Sequence, residues 1–362
     1  MLTRRVLLGC LGTALPLAAC GGSSVLPVNG GRPAPSSGGS DPADERTGGG
    51  HSGQTGTVPT RPLGKTGALV SMLGLGGHHL GQAGSEEEAA RLVHHALDHG
   101  LTFMDNCWDY HGGRSEEWLG KALAGGWRQK AFVMTKTDGH TREACGLQLE
   151  QSLNRLRTDV IDLVQFHEVI RKDDPDEIFA PGGAIEALLA ARKAGKVRFI
   201  GFTGHKDPAF HLAMLARSDA YGFAFDTVQM PLNVLDAHYK SFEQRVLPEL
   251  TRRNIGVLGM KSIAAGYALQ AGVTAEECLR YALSLPTSVV ITGCESIERV
   301  EQALRVARTF RPLAPSEREA LLARTKPHAS DGQLERFKTS NEFDGTMKNP
   351  QWLTTADARG KT

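Results

Sequence analysis

The sequence lacks an excess of either charge, any cysteine pairing motif and any apolar run long enough to cross a membrane. Its 41 lysine and arginine residues nearly balance 40 aspartate and glutamate residues, so it has no basic footprint of the kind that nucleic-acid-binding proteins carry. Six cysteines are present, without a Cys-x-x-Cys pair or a zinc-like spacing of cysteine and histidine. These absences argue against nucleic-acid binding, a structural metal site and a disulfide framework.

The composition that remains is ordinary for a soluble globular protein, with 40% apolar and 22% charged side chains over 362 residues. That length allows two domains, and it also suits one α/β barrel, which needs about 250 residues. Four of the cysteines lie in the body of the chain, and isolated buried thiols are favoured over disulfides for them. They are Cys107, Cys145, Cys278 and Cys294.

The first 20 residues resemble an export signal. A Thr-Arg-Arg motif at residues 3–5 precedes an apolar run that is too short to span a bilayer stably. The arginine pair resembles a twin-arginine signal, and it also suits the general secretory route. Residues 17–20 read LAAC, which resembles a bacterial lipobox with Cys20 as the lipidated residue. This signal predicts an exported protein on the periplasmic or cell-surface side of a bacterial membrane, attached only through its lipid; the alternative is an uncleaved apolar N-terminus.

Three further segments follow the signal. Residues 21–58 are dominated by Gly, Ser, Pro and Thr, which cannot bury enough apolar area to offset chain entropy, so they predict a disordered linker. Residues 59–325 alternate between strand and helix patterns and predict one domain. Residues 326–362 are polar with scattered aromatic side chains and form a C-terminal tail, which either crosses the mouth of this domain or packs on its side.

Eight strand–helix units fill the predicted domain. The strands are nearly continuous apolar runs, which indicates a parallel sheet covered by helices. Eight units in about 250 residues predict a closed (β/α)8 TIM barrel. The alternative is an open doubly wound sheet, but no Gly-x-Gly-x-x-Gly turn follows the first strand. The predicted strands lie within 61–77, 101–106, 131–136, 160–167, 197–204, 226–231, 255–260 and 288–293, and the helices at 85–100, 116–126, 141–156, 182–196, 208–218, 239–254, 275–285 and 297–310.

Polar side chains occur where several of these apolar strands end. Asp105, Lys136 and His167 each end a strand, and Tyr110 follows Asp105 by five residues. Buried polar groups are unfavourable unless they have partners or a use. Taken one at a time, Asp105 and Lys136 are better explained as a structural ion pair, and His167 as a hydrogen-bonded core histidine. In a barrel, however, all of these strand ends meet on one face, and together they predict a site there.

These four residues, in this order and at these strands, carry a family resemblance. From about residue 61 to residue 324 the chain resembles the aldo-keto reductase superfamily, through FMDNCWDY, VMTK and LVQFH. The resemblance implies a (β/α)8 barrel that interconverts a small-molecule carbonyl and an alcohol with a nicotinamide cofactor. The cofactor is usually NADPH, and NADH remains open. The resemblance says nothing about the particular carbonyl compound or about the oligomeric state.

The chemistry of the four side chains agrees with that role. A carbonyl that accepts hydride needs a proton, which Tyr110 would donate, and a free tyrosine titrates near pKa 10. The Lys136 ammonium would stabilise the phenolate and lower that pKa by roughly one to three units. Asp105 would hold Lys136 in place, and His167 would donate a hydrogen bond to the carbonyl oxygen.

The cofactor positions match the family less closely. Gln229 matches the glutamine that binds the nicotinamide amide, while Thr203-Gly204 replaces the usual Ser-Asn pair, with His205 as the candidate substitute. Met260 stands where the family has an aromatic residue, and its sulfur can pack on a ring. The remaining candidates are Lys261 for the pyrophosphate, Gly293 in the cofactor loop, and Arg299, which is either a phosphate ligand or a surface arginine.

Several histidines leave a second question open. His94, His95 and His99 share one predicted helix, at a spacing that could hold a metal. No carboxylate or cysteine motif accompanies them, so a solvated helix face is favoured and no metal is predicted. His111, directly after Tyr110, is expected at the substrate mouth. The alternative function for the whole chain is a non-catalytic barrel that binds the cofactor or senses redox state.

Overall fold

A computed structural model describes residues 56–293 and 295–355. The predicted signal peptide at residues 1–20, Cys20, nearly all of the linker at 21–58, and Cys294 lie outside the described residues. Cys107, Cys145 and Cys278 are free and buried, as expected. Within the described part of the chain, no helix is both long enough and apolar enough to span a bilayer.

Eight parallel strands close into a barrel, which confirms the predicted fold. The strands follow the chain around the barrel, and the last one, β10, pairs with both β3 and β9. Almost every strand residue is buried, because side chains on one face fill the barrel and those on the other pack under the helices. The barrel strands are β3 (Leu73–Gly76), β4 (Phe103–Asp105), β5 (Phe132–Thr137), β6 (Ile161–Phe166), β7 (Val197–Thr203), β8 (Thr227–Pro231), β9 (Gly256–Met260) and β10 (Val289–Thr292).

The first predicted strand segment contains more than one strand. An antiparallel hairpin, β1 (Thr60–Pro62) and β2 (Leu69–Ser71), precedes β3. Leu63 and Val70 of this hairpin are fully buried among the side chains inside the barrel. Gly64 allows the close approach, since it adopts φ +53° and a Cβ there would lie 2.3 Å from the backbone nitrogen of Gly256. The hairpin therefore packs into the barrel interior.

Helices follow the barrel strands as predicted, with one break and several short additions. The predicted helix at 239–254 divides at Val246, because Pro248 has no backbone N–H to continue the first helix and lies in the first turn of the second. The helices are α1 (Gly77–Leu80), α2 (Glu86–Asp98), α3 (Arg114–Ala122), α4 (Arg142–Leu156), α5 (Asp174–Ile178), α6 (Ala184–Lys193), α7 (Pro208–Tyr221), α8 (Phe242–Arg245), α9 (Leu247–Arg252), α10 (Ala275–Ser284), α11 (Ile297–Arg308), α12 (Pro315–Thr325), α13 (Arg336–Thr339) and α14 (Gly345–Lys348).

Short 3₁₀ segments complete the structure. They are Tyr110–Gly113, Trp127–Lys130, Asp236–His238, Ala264–Ala271, Lys326–His328 and Pro350–Leu353.

The tail packs across the carboxyl-terminal end of the barrel. Phe337 is fully buried, and the ring of Trp352 lies edge-on to that of Trp108, with centroids 5.8 Å apart. Lys338 has no exposed surface and donates to Asp236 at 2.7 Å and to Glu335 at 2.8 Å. Of the two arrangements that the sequence left open, the structure shows the one in which the tail borders the mouth.

Candidate active site

A cavity of about 1030 Å³ opens at the carboxyl-terminal end of the barrel. It is bordered by the strand ends, by the first half of α11 and by the tail around α14. The structure brings every described residue of the predicted site to this one cavity. These residues are Asp105, Tyr110, Lys136, His167, Thr203, Gln229, Met260, Lys261, Gly293 and Arg299.

Three of the four predicted catalytic residues form a continuous chain of contacts. The Lys136 ammonium donates to Asp105 Oδ1 at 2.8 Å, to the carbonyl oxygen of Asn106 at 2.6 Å and to the Tyr110 hydroxyl at 3.2 Å. Lys136 and Asp105 are almost fully buried. A buried ion pair of this kind is costly to desolvate, and it holds the lysine directed at the phenol.

The expected lowering of the Tyr110 pKa is wrong for the free protein. Burial raises the pKa of Tyr110 well above its usual value, and the nearby carboxylate of Asp105 raises it further. The reason is that Asp105 offsets the charge of Lys136 and that the phenolate would have to form away from water. Tyr110 therefore keeps its proton at neutral pH, as a proton donor must.

Behind His167 lies a buried carboxyl group that the sequence analysis missed. Asp138 Oδ1 lies 2.8 Å from His167 Nδ1, and Asp138 is completely buried. Burial raises the pKa of Asp138 and lowers the pKa of His167. A proton must lie between the two atoms, which leaves Nε2 as the ring nitrogen available to the cavity. Asp138 follows Lys136 by two residues. Because side chains alternate between the two faces of a strand, this spacing could have predicted that both lie on the same side of the chain.

Two more groups surround this pair. Cys107 Sγ lies 3.2 Å from His167 Nδ1, and Asp109 Oδ1 lies 3.8 Å from it. Burial raises the pKa of Asp109 to about 7 and that of the Cys107 thiol well above its usual value. The four groups lie close enough to act as metal ligands. However, the contacts of 2.8 Å and 3.2 Å are hydrogen-bond distances, and shared protons account for them.

The other end of the cavity fits a nicotinamide dinucleotide. The side-chain oxygen of Gln229 is buried and accepts no hydrogen bond from the described residues, so a carboxamide N–H has an acceptor there. The Thr203 hydroxyl lies 3.9 Å from Met260 Sδ, which is a weak contact. Farther along, α11 begins after Gly293 and presents Arg299 to the cavity. A helix N-terminus and an arginine suit phosphate.

The mouth of the cavity is lined by groups from the barrel and from the tail. His111 lines it, as expected, and its Nε2 lies 2.8 Å from the carbonyl oxygen of His78. The Nε2 of His205 lies 2.9 Å from Asp344 of the tail, so this ring nitrogen is committed to the tail and not to a cofactor amide. Glu168 accepts hydrogen bonds from the backbone N–H groups of Gly345 and Thr346, both at 2.8 Å.

The histidines of α2 lie outside this cavity. They are half-buried rather than solvated, because α2 packs against neighbouring elements. The ring of His94 stacks on Trp127, with centroids 4.1 Å apart, and His95 Nε2 lies 2.6 Å from Glu301. These contacts account for the histidines as parts of the helix packing.

Comparisons with known proteins agree with this geometry. An uncharacterized oxidoreductase of Bacillus subtilis is 31% identical over 225 residues, covering 56% of this chain and 66% of the relative. L-galactose dehydrogenase of Arabidopsis thaliana is 28% identical over 240 residues, covering 59% of this chain and 68% of the relative. The chain thus spans about two thirds of the length of these curated relatives.

A solved structure shows the same fold. The holo form of an aldo-keto reductase from Bacillus halodurans matches with a TM-score of 0.63 at 23% identity, covering 77% of this chain and 99% of that one. The model of the aldo/keto reductase family matches residues 72–277, which is more than half of the sequence. With this match and a closed parallel barrel around the cavity, the chain belongs to the aldo/keto reductase family.

Proposed function

We propose that this protein is an NAD(P)H-dependent reductase that interconverts a small carbonyl compound and an alcohol. The family as a whole carries out this type of reaction, and one observation carries the proposal to this chain. The Asp105–Lys136–Tyr110 chain of contacts and the ring of His167 converge on one cavity large enough for a dinucleotide and a small substrate.

The residues that would hold the cofactor all line the cavity. Gln229 and Thr203 would bind the nicotinamide amide, and Met260 would pack on its ring. Gly293 and Arg299 would hold the phosphates beside the start of α11. Arg299 is the cation at this end, which favours NADPH while leaving NADH open. When bound, the cofactor supplies the hydride that reduces the carbonyl carbon.

The protein's own residues would manage the proton. Tyr110 gives its phenolic proton to the carbonyl oxygen as that oxygen gains negative charge. The Lys136 ammonium stabilises the resulting phenolate, and Asp105 holds Lys136 in place. His167 donates from Nε2 to the same oxygen, which requires Nδ1 to face a protonated Asp138 or to carry a proton itself. In the oxidation direction the same proton returns to Tyr110.

The test uses purified protein with 4-nitrobenzaldehyde and either NADPH or NADH. We expect the absorbance of the reduced nicotinamide to fall, and to fall faster with NADPH. Fluorescence titration of each cofactor measures binding separately from turnover. Tight binding with no turnover of any aldehyde would favour the non-catalytic binding protein, and absence of binding would contradict both functions.

The Asp138–His167 pair predicts a pH dependence of the reduction. Below the raised pKa of Asp138, the carboxyl group is protonated and faces Nδ1. Nε2 then carries the ring hydrogen and can donate it in a hydrogen bond to the substrate. As pH rises through that pKa the proton is lost, Nδ1–H turns to the carboxylate, and Nε2 can no longer donate. We therefore expect kcat/KM to decline with rising pH in the wild type, and this decline to be absent in Asp138→Asn, whose amide cannot ionise.

Other ionisable groups face the same ring, so a control is needed. Cys107, Asp109, Glu168 and Lys136 all act on the pair electrostatically. The Asp109→Asn variant removes the carboxyl group whose pKa is raised to about 7, and it should keep the decline that depends on Asp138. An unchanged decline in Asp138→Asn would show that Asp138 does not set the protonation of His167.

We also propose that the protein is exported and anchored through Cys20. The LAAC motif at the end of the short apolar run supports this proposal. Mass spectrometry of the membrane fraction should find an N-terminal, lipid-modified Cys20, and Cys20→Ala should leave the protein without lipid. Replacing Arg4 and Arg5 by lysine distinguishes the routes, since only twin-arginine export should stop. A lipid-free product that begins at Met1 would contradict the anchor.

A further inference from the structure

Lys261 places a cation in the cavity that has no anionic partner. It directly follows β9 and lines the cavity. Within the described residues, its ammonium group makes neither a hydrogen bond nor an ion pair. Lys261 adopts φ +53°, and Ala264 and Ala265 just after it adopt φ +48° and +56°. Such conformations are unfavourable for residues with a Cβ, and strained residues of this kind are found at ligand sites as well as in turns.

The contacts that Lys261 does make come from the tail. Its Nζ lies 4.9 Å from the ring centroid of Phe343 and 5.4 Å from that of Phe337. Aromatic faces attract a cation without neutralising its charge. Burial lowers the pKa of Lys261 to about 8. Lys261 is half-buried at the cavity wall, and an ammonium group that is partly shielded from water gains from an anionic ligand.

The carboxylates whose charges act most strongly on Lys261 are engaged elsewhere. Glu168 accepts from the backbone of Gly345 and from both the backbone and the hydroxyl of Thr346. Asp344 lies 2.9 Å from His205 and 2.7 Å from Lys206. Asp105 is paired with Lys136. None of these three carboxylates has to leave its partners for an anionic ligand to bind Lys261.

The surroundings of Lys261 also locate its ammonium group along the cavity. The charges that act on it most strongly are those of Glu168, Lys136, Asp105 and Asp344, all at the reaction centre or the adjoining tail. Arg299 borders the cavity beside α11, at the end assigned to the cofactor phosphates. The sequence assigned Lys261 to the cofactor pyrophosphate. Its position near the reaction centre is equally suited to an anionic group of the substrate.

We propose that Lys261 binds the carboxylate or phosphate of a negatively charged carbonyl substrate, while Phe337 and Phe343 of the tail hold the lysine in position. The proposal rests on the proposed function, since the reactive carbonyl must lie at Tyr110. The substrate class is thus a small aldehyde or ketone that carries an anionic oxygen group. The tail takes part in this selection through its two rings.

The test compares two aldehydes that differ in charge. 4-Carboxybenzaldehyde carries a carboxylate, and its methyl ester is neutral. We expect the wild type to prefer the acid by about tenfold or more in kcat/KM, the scale of one hydrogen bond to a charged group. The preference should fall to near unity in Lys261→Met and persist in Lys261→Arg. Lys348→Met removes another cavity-lining lysine, whose Nζ donates to the backbone carbonyl of Glu342, and should keep the preference.

Cofactor titrations separate the two possible anions. If Lys261→Met weakens NADPH binding tenfold and leaves the preference for the acid, Lys261 serves the pyrophosphate and the proposal is wrong. The proposal is also wrong if Lys348→Met alone removes the preference for the acid. If the wild type reduces both aldehydes equally well, the proposal about Lys261 is wrong but the proposed function as a carbonyl reductase stands.

A binding measurement decides the proposal even without turnover. Calorimetric titration of the cofactor-loaded protein with 4-(hydroxymethyl)benzoate, the alcohol product, should show binding that Lys261→Met weakens at least about tenfold. Equal binding to the wild type and Lys261→Met would overturn the proposal. Circular dichroism confirms that each variant is folded.

Discussion

Replacing Tyr110 by phenylalanine is expected to lower kcat for carbonyl reduction by at least about 10²-fold, the usual contribution of one general acid. The substitution removes only the hydroxyl that lies 3.2 Å from the Lys136 ammonium. The ring keeps its edge-on contacts with His78 and His167, at centroid distances of 5.3 Å and 6.0 Å. We therefore expect the variant to fold and to bind cofactor normally. Steady-state kinetics with 4-nitrobenzaldehyde measures the loss.

Tyr221→Phe is the matched control for this prediction. Tyr221 is exposed, and its ring packs against Phe179, remote from the cavity. Removing its hydroxyl should leave kcat within the error of the measurement. If Tyr110→Phe turns over aldehyde at the wild-type rate, then Tyr110 is not the proton donor, and the role assigned to the Asp105–Lys136–Tyr110 chain fails with it.

Lys338→Met is expected to lower the free energy of unfolding by about 3–5 kcal/mol, the usual cost of leaving buried charges without their partner. Lys338 is completely buried and donates to Asp236, Glu335 and the carbonyl oxygen of Tyr239, all within 2.8 Å. Without it, two carboxylates remain buried side by side. Urea denaturation of both proteins measures the difference.

The size of this loss should depend on pH. Burial raises the pKa of Glu335 to about 7, so the folded protein holds a proton there that the unfolded chain loses near pH 4.5. Stability from this group is therefore present at low pH and is lost as pH rises towards 7. In Lys338→Met no cation offsets the charged carboxylates, so the loss should be larger at pH 8 than at pH 5.

Two variants check the explanation. Adding Glu335→Gln to Lys338→Met removes one of the unpaired charges while keeping an acceptor for Asn233, which donates to Glu335 at 3.1 Å. This pair of changes should recover part of the stability. Lys196→Met breaks an exposed pair with Glu150 and should change stability by no more than about 0.5 kcal/mol. Equal effects of Lys338→Met and Lys196→Met would show that the tail does not depend on its buried lysine.

The sequence determined the barrel and several of the side chains that meet at its cavity. Each barrel strand is a short apolar run followed by a helix pattern, which is local information, and parallel strands in a closed barrel necessarily bring their carboxyl ends together. The positions of Asp105, Lys136, His167 and Gln229 at one cavity follow from this topology.

Only the tertiary structure decided the protonation of the site and the position of the tail. The Tyr110 pKa depends on burial and on the carboxylate of Asp105, and the state of His167 depends on Asp138 behind it. Neither burial nor the balance of nearby charges can be read from strand patterns. The tail is held by contacts between residues far apart in sequence, such as Lys338 with Asp236. Lys338 and Asp344 are charged side chains of the tail that are paired on the barrel, and polarity alone cannot distinguish such a segment from a solvated one.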